Sequence, residues 1–77
     1  MLNKKVFLID IDGTICEDIK NEESHLYDSA KPIDGSREII NKWFDEGHHI
    51  TFFTARESKD RGVTEQWLKN NGFNYHG

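Results

Sequence analysis

Val6-Phe7-Leu8-Ile9-Asp10-Ile11-Asp12-Gly13-Thr14 is the stretch that decides the fold. Val6 to Ile9 and Ile11 form a nearly continuous β-branched and aromatic run, the pattern of a strand buried on both faces of a parallel sheet. The run ends at Asp12-Gly13-Thr14, so two carboxylates separated by one residue stand at the carboxyl end of a strand. Open α/β sheets place their ligand crevice at that end. Gly13 lets the backbone turn sharply, and Thr14 offers a hydroxyl and an N–H as the chain leaves the sheet. In isolation a D-x-D-G string reads more readily as a strand end and turn than as a site, and its surroundings decide between the two.

Those surroundings are α/β. Ile39, Ile40, Trp43 and Phe44 recur at helical spacing after Asp34 or Ser36, either of which can cap a helix, and Gly47 stops it. His49-Ile50-Thr51-Phe52-Phe53-Thr54 then reads as a second strand, and strand, helix, strand in that order predicts a right-handed parallel crossover. A second helix over 60–70 carries Val63, Trp67 and Leu68 inward and ends at Asn71-Gly72, after which Phe73-Asn74-Tyr75-His76 would start a third strand. Residues 15–36 are polar, rich in acids and without steady periodicity, and are read as a long active-site flap. The second strand brings Thr54 to the end of the sheet that holds Asp10 and Asp12.

At 77 residues the chain is one small domain, in the range where folding buries roughly 60% of the unfolded surface. Charged residues make up 31% and are spread along the sequence, which fits an ordinary globular protein. The formal charge of −4 argues against a nucleic-acid surface, which needs clustered Lys and Arg. A single cysteine, Cys16, cannot form an internal disulfide, so cytoplasm is the expected compartment. No apolar run approaches the ~20 residues that span a bilayer, and no membrane partner or targeting segment is expected.

Phe7-Leu8-Ile9-Asp10-Ile11-Asp12-Gly13-Thr14 resembles the first signature of the haloacid dehalogenase-like superfamily, and Ile50-Thr51-Phe52-Phe53-Thr54 resembles its second. The resemblance implies a Rossmann-like parallel sheet with flanking helices, of which this chain would be the N-terminal half. It assigns nucleophilic attack on phosphorus to Asp10, giving an aspartyl-phosphate, and acid/base work to Asp12. It implies Mg²⁺ held by the Asp10 carboxylate and the Asp12 backbone carbonyl, oxygen donors of the kind this ion prefers. Gly13, Thr14, Thr54 and the Ala55 amide would bind the phosphoryl group. An aspartate at the second position is the mark of phosphatases and phosphotransferases in this superfamily. Thr54-Ala55-Arg56-Glu57-Ser58 with Thr64-Glu65-Gln66-Trp67-Leu68 is similar to small capless members linked to surface polysaccharide synthesis. Hydrolysis of a small phosphorylated substrate, such as a sugar phosphate, is therefore the expected reaction.

The superfamily also uses a lysine from a third motif and an acid from a fourth, and neither is found here. Lys59 and Lys69 lie before the place where the third motif belongs. The expectation is that the functional protein continues past Gly77. Two other readings stay open: a catalytically incomplete unit serving as an interaction domain, and a phosphotransferase or phosphomutase. An incomplete sheet leaves an open strand edge, which predicts self-association of the segment.

Other residues take plainer readings. Arg56 could reach the crevice mouth and bind a substrate carboxylate or second phosphate, or pair with Glu57 or Asp60 at the surface. His48 and His49 read as loop packing beside a glycine turn, with no ligand-like spacing to His25 or His76. Trp43, Phe44 and Trp67 read as core, Cys16 as a small buried filler, and Glu17, Asp18, Glu22 and Glu23 as a solvated acidic loop.

Overall fold

The computed structural model describes residues 3–77. Strand β1, Val6–Asp10, pairs in parallel with β2, His49–Phe53, from Val6↔His49 through Asp10↔Phe53. Helix α1, Ser36–Asp45, makes the crossover, and helix α2, Arg61–Asn70, follows β2. The chain is thus a small α/β unit with a two-stranded parallel sheet and flanking helices, consistent with part of a Rossmann-like fold. No helix among the described residues is long and apolar enough to cross a membrane.

The third strand is begun rather than built. His76 N–H donates to Ile50 O at 2.8 Å and Phe52 N–H to Gly77 O at 2.9 Å, along the edge of β2 that faces away from β1. These bonds, with Gly77 N–H to Ile50 O at 3.3 Å, start a ladder without making a strand.

Burial of β1 on both faces, expected from its unbroken apolar run, is not what the chain shows. Phe7, Ile9, Ile50 and Phe52 lie on the face that meets the core, together with Ile40 of α1 and Leu68 of α2. Side chains alternate across a strand, so Val6, Leu8 and Phe53 point the other way. Val6 and Leu8 are each 68% exposed and Phe53 is 53% exposed. Both helices add to one core on one face, and nothing among the described residues covers the second.

Neither Asp34 nor Ser36 caps α1. Gly35 takes the N-cap position with φ of 84°, and Ser36 is already in the helix. Its hydroxyl donates to Ile33 O at 2.7 Å and Ile15 O at 3.3 Å, because carbonyls in buried surroundings need a donor more than an exposed helix start does. Gly47 ends the helix as expected, with φ of 92° and its N–H on Phe44 O at 3.0 Å.

Residues 15–36 are built into the core. Cys16 bridges Asp12 on one side and Pro32 on the other, and Ile15, Ile19, Tyr27 and Ala30 are buried. Asn21–Ser29 forms 3₁₀ turns interrupted by a kink at Glu23, a geometry with no 3.6-residue apolar repeat. Trp67 Nε1 donates to Ala30 O at 2.9 Å and so ties α2 to this segment. Trp43 stacks on Phe7 with ring centroids 4.3 Å apart, a core contact as expected.

Three of the four histidines pack, and His25 is exposed. His48 Nδ1 accepts from Lys5 N–H at 3.0 Å, and His76 Nδ1 accepts from Ile50 N–H at 3.1 Å. The incipient third strand brings His76 against His49, which sequence spacing does not suggest, with rings stacked 4.5 Å apart.

Candidate active site

Gly13, with φ of 80°, turns the chain out of the sheet. Its N–H donates to Cys16 O at 2.9 Å, and the N–H groups of Thr14 and Ile15 donate to Ile11 O at 3.1 and 3.0 Å. The turn therefore uses its own amides, since the carbonyls of buried Ile11 and Cys16 must be satisfied. The Gly13 and Thr14 amides, expected as phosphate donors, are already engaged. Thr14 instead lines an open groove beside β1, shared with Asp10.

Asp10, Asp12 and Ala55 line one open mouth of about 360 Å³, bordered by residues 18–22. Asp10 Oδ1 accepts from Ile11 N–H at 2.8 Å, and Oδ2 has no partner among the described residues. The Ala55 N–H likewise has no acceptor there, while Ala55 O accepts from Asn21 Nδ2 at 3.2 Å. Thr54 lies just outside. It lines an adjoining cavity of about 260 Å³ between β2 and α2, and its Oγ1 accepts from Arg56 N–H at 3.0 Å. The Thr54 hydroxyl thus closes the loop that positions Arg56.

Arg56 is not at the mouth, and it pairs with neither Glu57 nor Asp60. Its side chain is 1% exposed and grips Asp12 at two points, Nε to Oδ2 at 2.9 Å and Nη2 to Oδ1 at 2.7 Å. Nη1 donates to Thr64 Oγ1 at 3.1 Å, and Thr64 in turn donates to Asp60 O at 2.8 Å. The guanidinium carbon lies 3.8 Å over the Tyr27 ring centroid. Tyr27 donates its hydroxyl to Asn21 Oδ1 at 2.9 Å, and Asn21 returns to Ala55. A planar fork suits two carboxylate oxygens and one aromatic face at once, which explains why an arginine can be buried here.

Burial works against the charge of Arg56, but the hydrogen bonds and charge of Asp12 more than offset it, and its pKa is raised. Burial pushes the Cys16 thiol up to about 11, with the Asp12 charge adding and Arg56 opposing. Cys16 is thus a protonated filler, as expected.

A divalent cation at this mouth would find two oxygen donors from the chain. One is the unpartnered Asp10 oxygen; the other is the Asp12 carbonyl, which accepts no hydrogen bond among the described residues. Both suit Mg²⁺. The Asp12 carboxylate is committed to Arg56, and no group of three or more His, Cys, Asp or Glu side chains converges to hold an ion among the described residues. The donors present fit part of a Mg²⁺ shell.

The structure adds residues that the sequence reading passed over. Asp18, Lys20 and Glu22 line the mouth and are exposed, as the reading of a solvated acidic loop has it. Tyr27, Asn21 and Thr64 support Arg56. Thr64 carried a legible signal, because it falls on the same helical face as Trp67 and Leu68 and a hydroxyl there needs a partner. Tyr27 had a weaker one as the aromatic residue of an otherwise polar run.

Residues 7–77 match the family model described as PITM 1-3, LNS2 domain. The chain is also similar to a protein of Halalkalibacterium halodurans named "Putative nucleotidase BH1399", with 28% identity over 58 residues that cover 75% of this chain and 29% of that protein. It therefore spans less than a third of the length of this curated relative. No solved structure matches. The family model covers the strand, crossover, second strand and second helix that build the mouth, and the chain belongs to the LNS2 domain family.

Proposed function

We propose that the chain carries the nucleophile half of a Mg²⁺-dependent phosphatase acting on small phosphate monoesters. The observation that carries this reading is the meeting of Asp10, Asp12 and the free Ala55 N–H in one mouth at the carboxyl end of the sheet. The family match and the nucleotidase name of the relative support phosphate hydrolysis.

In this mechanism Asp12 enters protonated on an oxygen lone pair that Arg56 does not use; the free Asp10 oxygen attacks phosphorus as the bond to the leaving oxygen breaks, and Asp12 gives that oxygen its proton. Asp12 then takes a proton from water, whose oxygen displaces Asp10 and releases phosphate. The Ala55 N–H holds a phosphoryl oxygen. Four carboxylates, those of Asp10, Asp12, Asp18 and Glu22, line the mouth against one ammonium, Lys20. Arg56 neutralises only Asp12, so an incoming phosphate needs further positive charge. Mg²⁺ on Asp10 and the Asp12 carbonyl would supply that charge and polarise the phosphoryl group.

The relative's name favours a nucleotide as the ester, and the motif resemblance favours a sugar phosphate. The test is Mg²⁺-dependent phosphate release by the full-length protein from an aryl phosphate, a nucleoside monophosphate and a sugar phosphate, with Asp10→Asn as control. Turnover that needs Mg²⁺ and disappears in Asp10→Asn is expected. A folded protein that turns over none of the three refutes the reading and leaves an interaction domain.

A further inference from the structure

We infer that Arg56 is a positioning residue for Asp12, clamped between Tyr27 of the 15–36 segment and Thr64 of α2, so that the acid/base carboxylate is held in one orientation at the mouth. The inference rests on the phosphatase reading, which assigns Asp12 its proton-transfer role, and adds a residue that this reading does not contain.

The geometry supplies three restraints. Both Asp12 oxygens are held, by Nε at 2.9 Å and Nη2 at 2.7 Å, so the carboxylate plane is fixed relative to the guanidinium plane. One hydrogen bond would leave a rotation about it, whereas two parallel bonds do not. The guanidinium is itself fixed, face-on by the Tyr27 ring at 3.8 Å and edge-on by Thr64 Oγ1 at 3.1 Å. The chain of contacts then closes, because Tyr27 donates to Asn21 at 2.9 Å and Asn21 donates to Ala55 O at 3.2 Å, one residue from Arg56.

This circuit joins the two sides of the mouth. Asn21 and Ala55 line it, and Arg56 lies behind them with its side chain 1% exposed.

Lysine cannot reproduce this role. An ammonium is a point charge without a fork or a flat face, so Arg56→Lys keeps the positive charge but releases the carboxylate plane and the Tyr27 stack. A carboxylate misplaced by about 1 Å costs about a hundredfold in rate.

The experiment measures kcat and KM for Mg²⁺-dependent aryl phosphate hydrolysis by the full-length protein and its Arg56→Lys, Arg56→Ala, Thr64→Val and Asp10→Asn variants. Arg56→Lys is expected to lower kcat about a hundredfold with KM within about twofold. Guanidinium added at sub-denaturing concentration should recover part of the kcat of Arg56→Ala. Thr64→Val removes one anchor without touching the charge, and should lower kcat with KM unchanged if Arg56→Lys fails to fold. Wild-type turnover that Asp10→Asn abolishes, combined with full kcat in a folded Arg56→Lys or Thr64→Val, overturns the role of Arg56 and leaves the phosphatase reading standing. A raised KM with kcat unchanged also overturns it, since that places Arg56 on the substrate. No wild-type turnover overturns the phosphatase reading, and the role of Arg56 falls with it.

Discussion

The Asp12–Arg56 pair makes an asymmetric prediction about stability. The Arg56 side chain is 1% exposed and that of Asp12 is 16% exposed. Asp12→Ala therefore strands a guanidinium with no water and no counter-charge, and such a deletion costs about 3–5 kcal/mol. Arg56→Met leaves a carboxylate at the rim of a wet mouth, where it rehydrates, while methionine refills the space over Tyr27. Its cost is the lost cation–π contact, about 2 kcal/mol for a desolvated site. Removing both charges leaves no orphan, so the double variant should cost less than Asp12→Ala alone, with a coupling energy of about 2–3 kcal/mol.

Urea unfolding followed by the fluorescence of buried Trp67 measures all three variants, provided the slope is unchanged and only the midpoint moves. A chain of 77 residues has a total stability of about 4–12 kcal/mol, so the Asp12→Ala effect is a large share of it. Two results would refute the reasoning. One is costs that add within about 0.5 kcal/mol, which means the two side chains are independent. The other is Arg56→Met costing more than Asp12→Ala, which means that the desolvated partner is Asp12.

Alkaline pH should weaken the fold. The Cys16 thiol ordinarily loses its proton near 9.0 and does so near about 11 in the folded chain, so the folded state keeps a proton that the unfolded state gives up. Its contribution is fully present below pH 9.0 and is lost as the pH climbs to about 11. Tyr27 is shifted up by burial and acts in the same direction. A urea midpoint that stays flat across that interval, or native Cys16 alkylated as fast as a free thiol, would contradict this. Separately, Ile50→Ala removes a fully buried side chain and should cost about 2–5 kcal/mol. Leu8→Lys, on the uncovered face of the isolated 77-residue segment, should change stability by no more than about 0.5 kcal/mol and lower its apparent mass in light scattering. Equal costs at the two positions would show that the second sheet face is covered after all.

The alternation of strand and helix was legible because its signals are local. The apolar run of β1, the helical spacing of Ile40 and Trp43, and the glycines at 47 and 72 each depend on a few neighbours. What was not legible depends on contacts between distant residues. Arg56 and Asp12 are 44 positions apart, and nothing near Arg56 distinguishes a buried fork from a surface pair with Glu57. Residues 15–36 looked unstructured because 3₁₀ turns and isolated bridges bury Ile15, Cys16, Ile19 and Tyr27 at irregular intervals. The unbroken apolar run of β1 pointed to cover on both faces, and the described residues supply cover on one.

Stability alone does not account for a buried arginine in so small a core. Replacing a buried ion pair by apolar residues of similar volume is often neutral or stabilising, because each charge must be stripped of water before it can be paired. Tyr27, Thr64 and Cys16 already surround the site with groups that an apolar pair could pack against. The arginine also directs its contacts in a particular way: two bonds to Asp12, one to Thr64, a longer one to Cys16 Sγ, and a face to Tyr27. A design for stability alone needs the guanidinium satisfied, by any acceptors. This arrangement satisfies it through a carboxylate that also lines the mouth, and through an aromatic ring tied to Asn21 at the mouth's opposite rim. The desolvation cost therefore goes with control over a single carboxylate's orientation, and orientation is what proton transfer at a reacting phosphate requires.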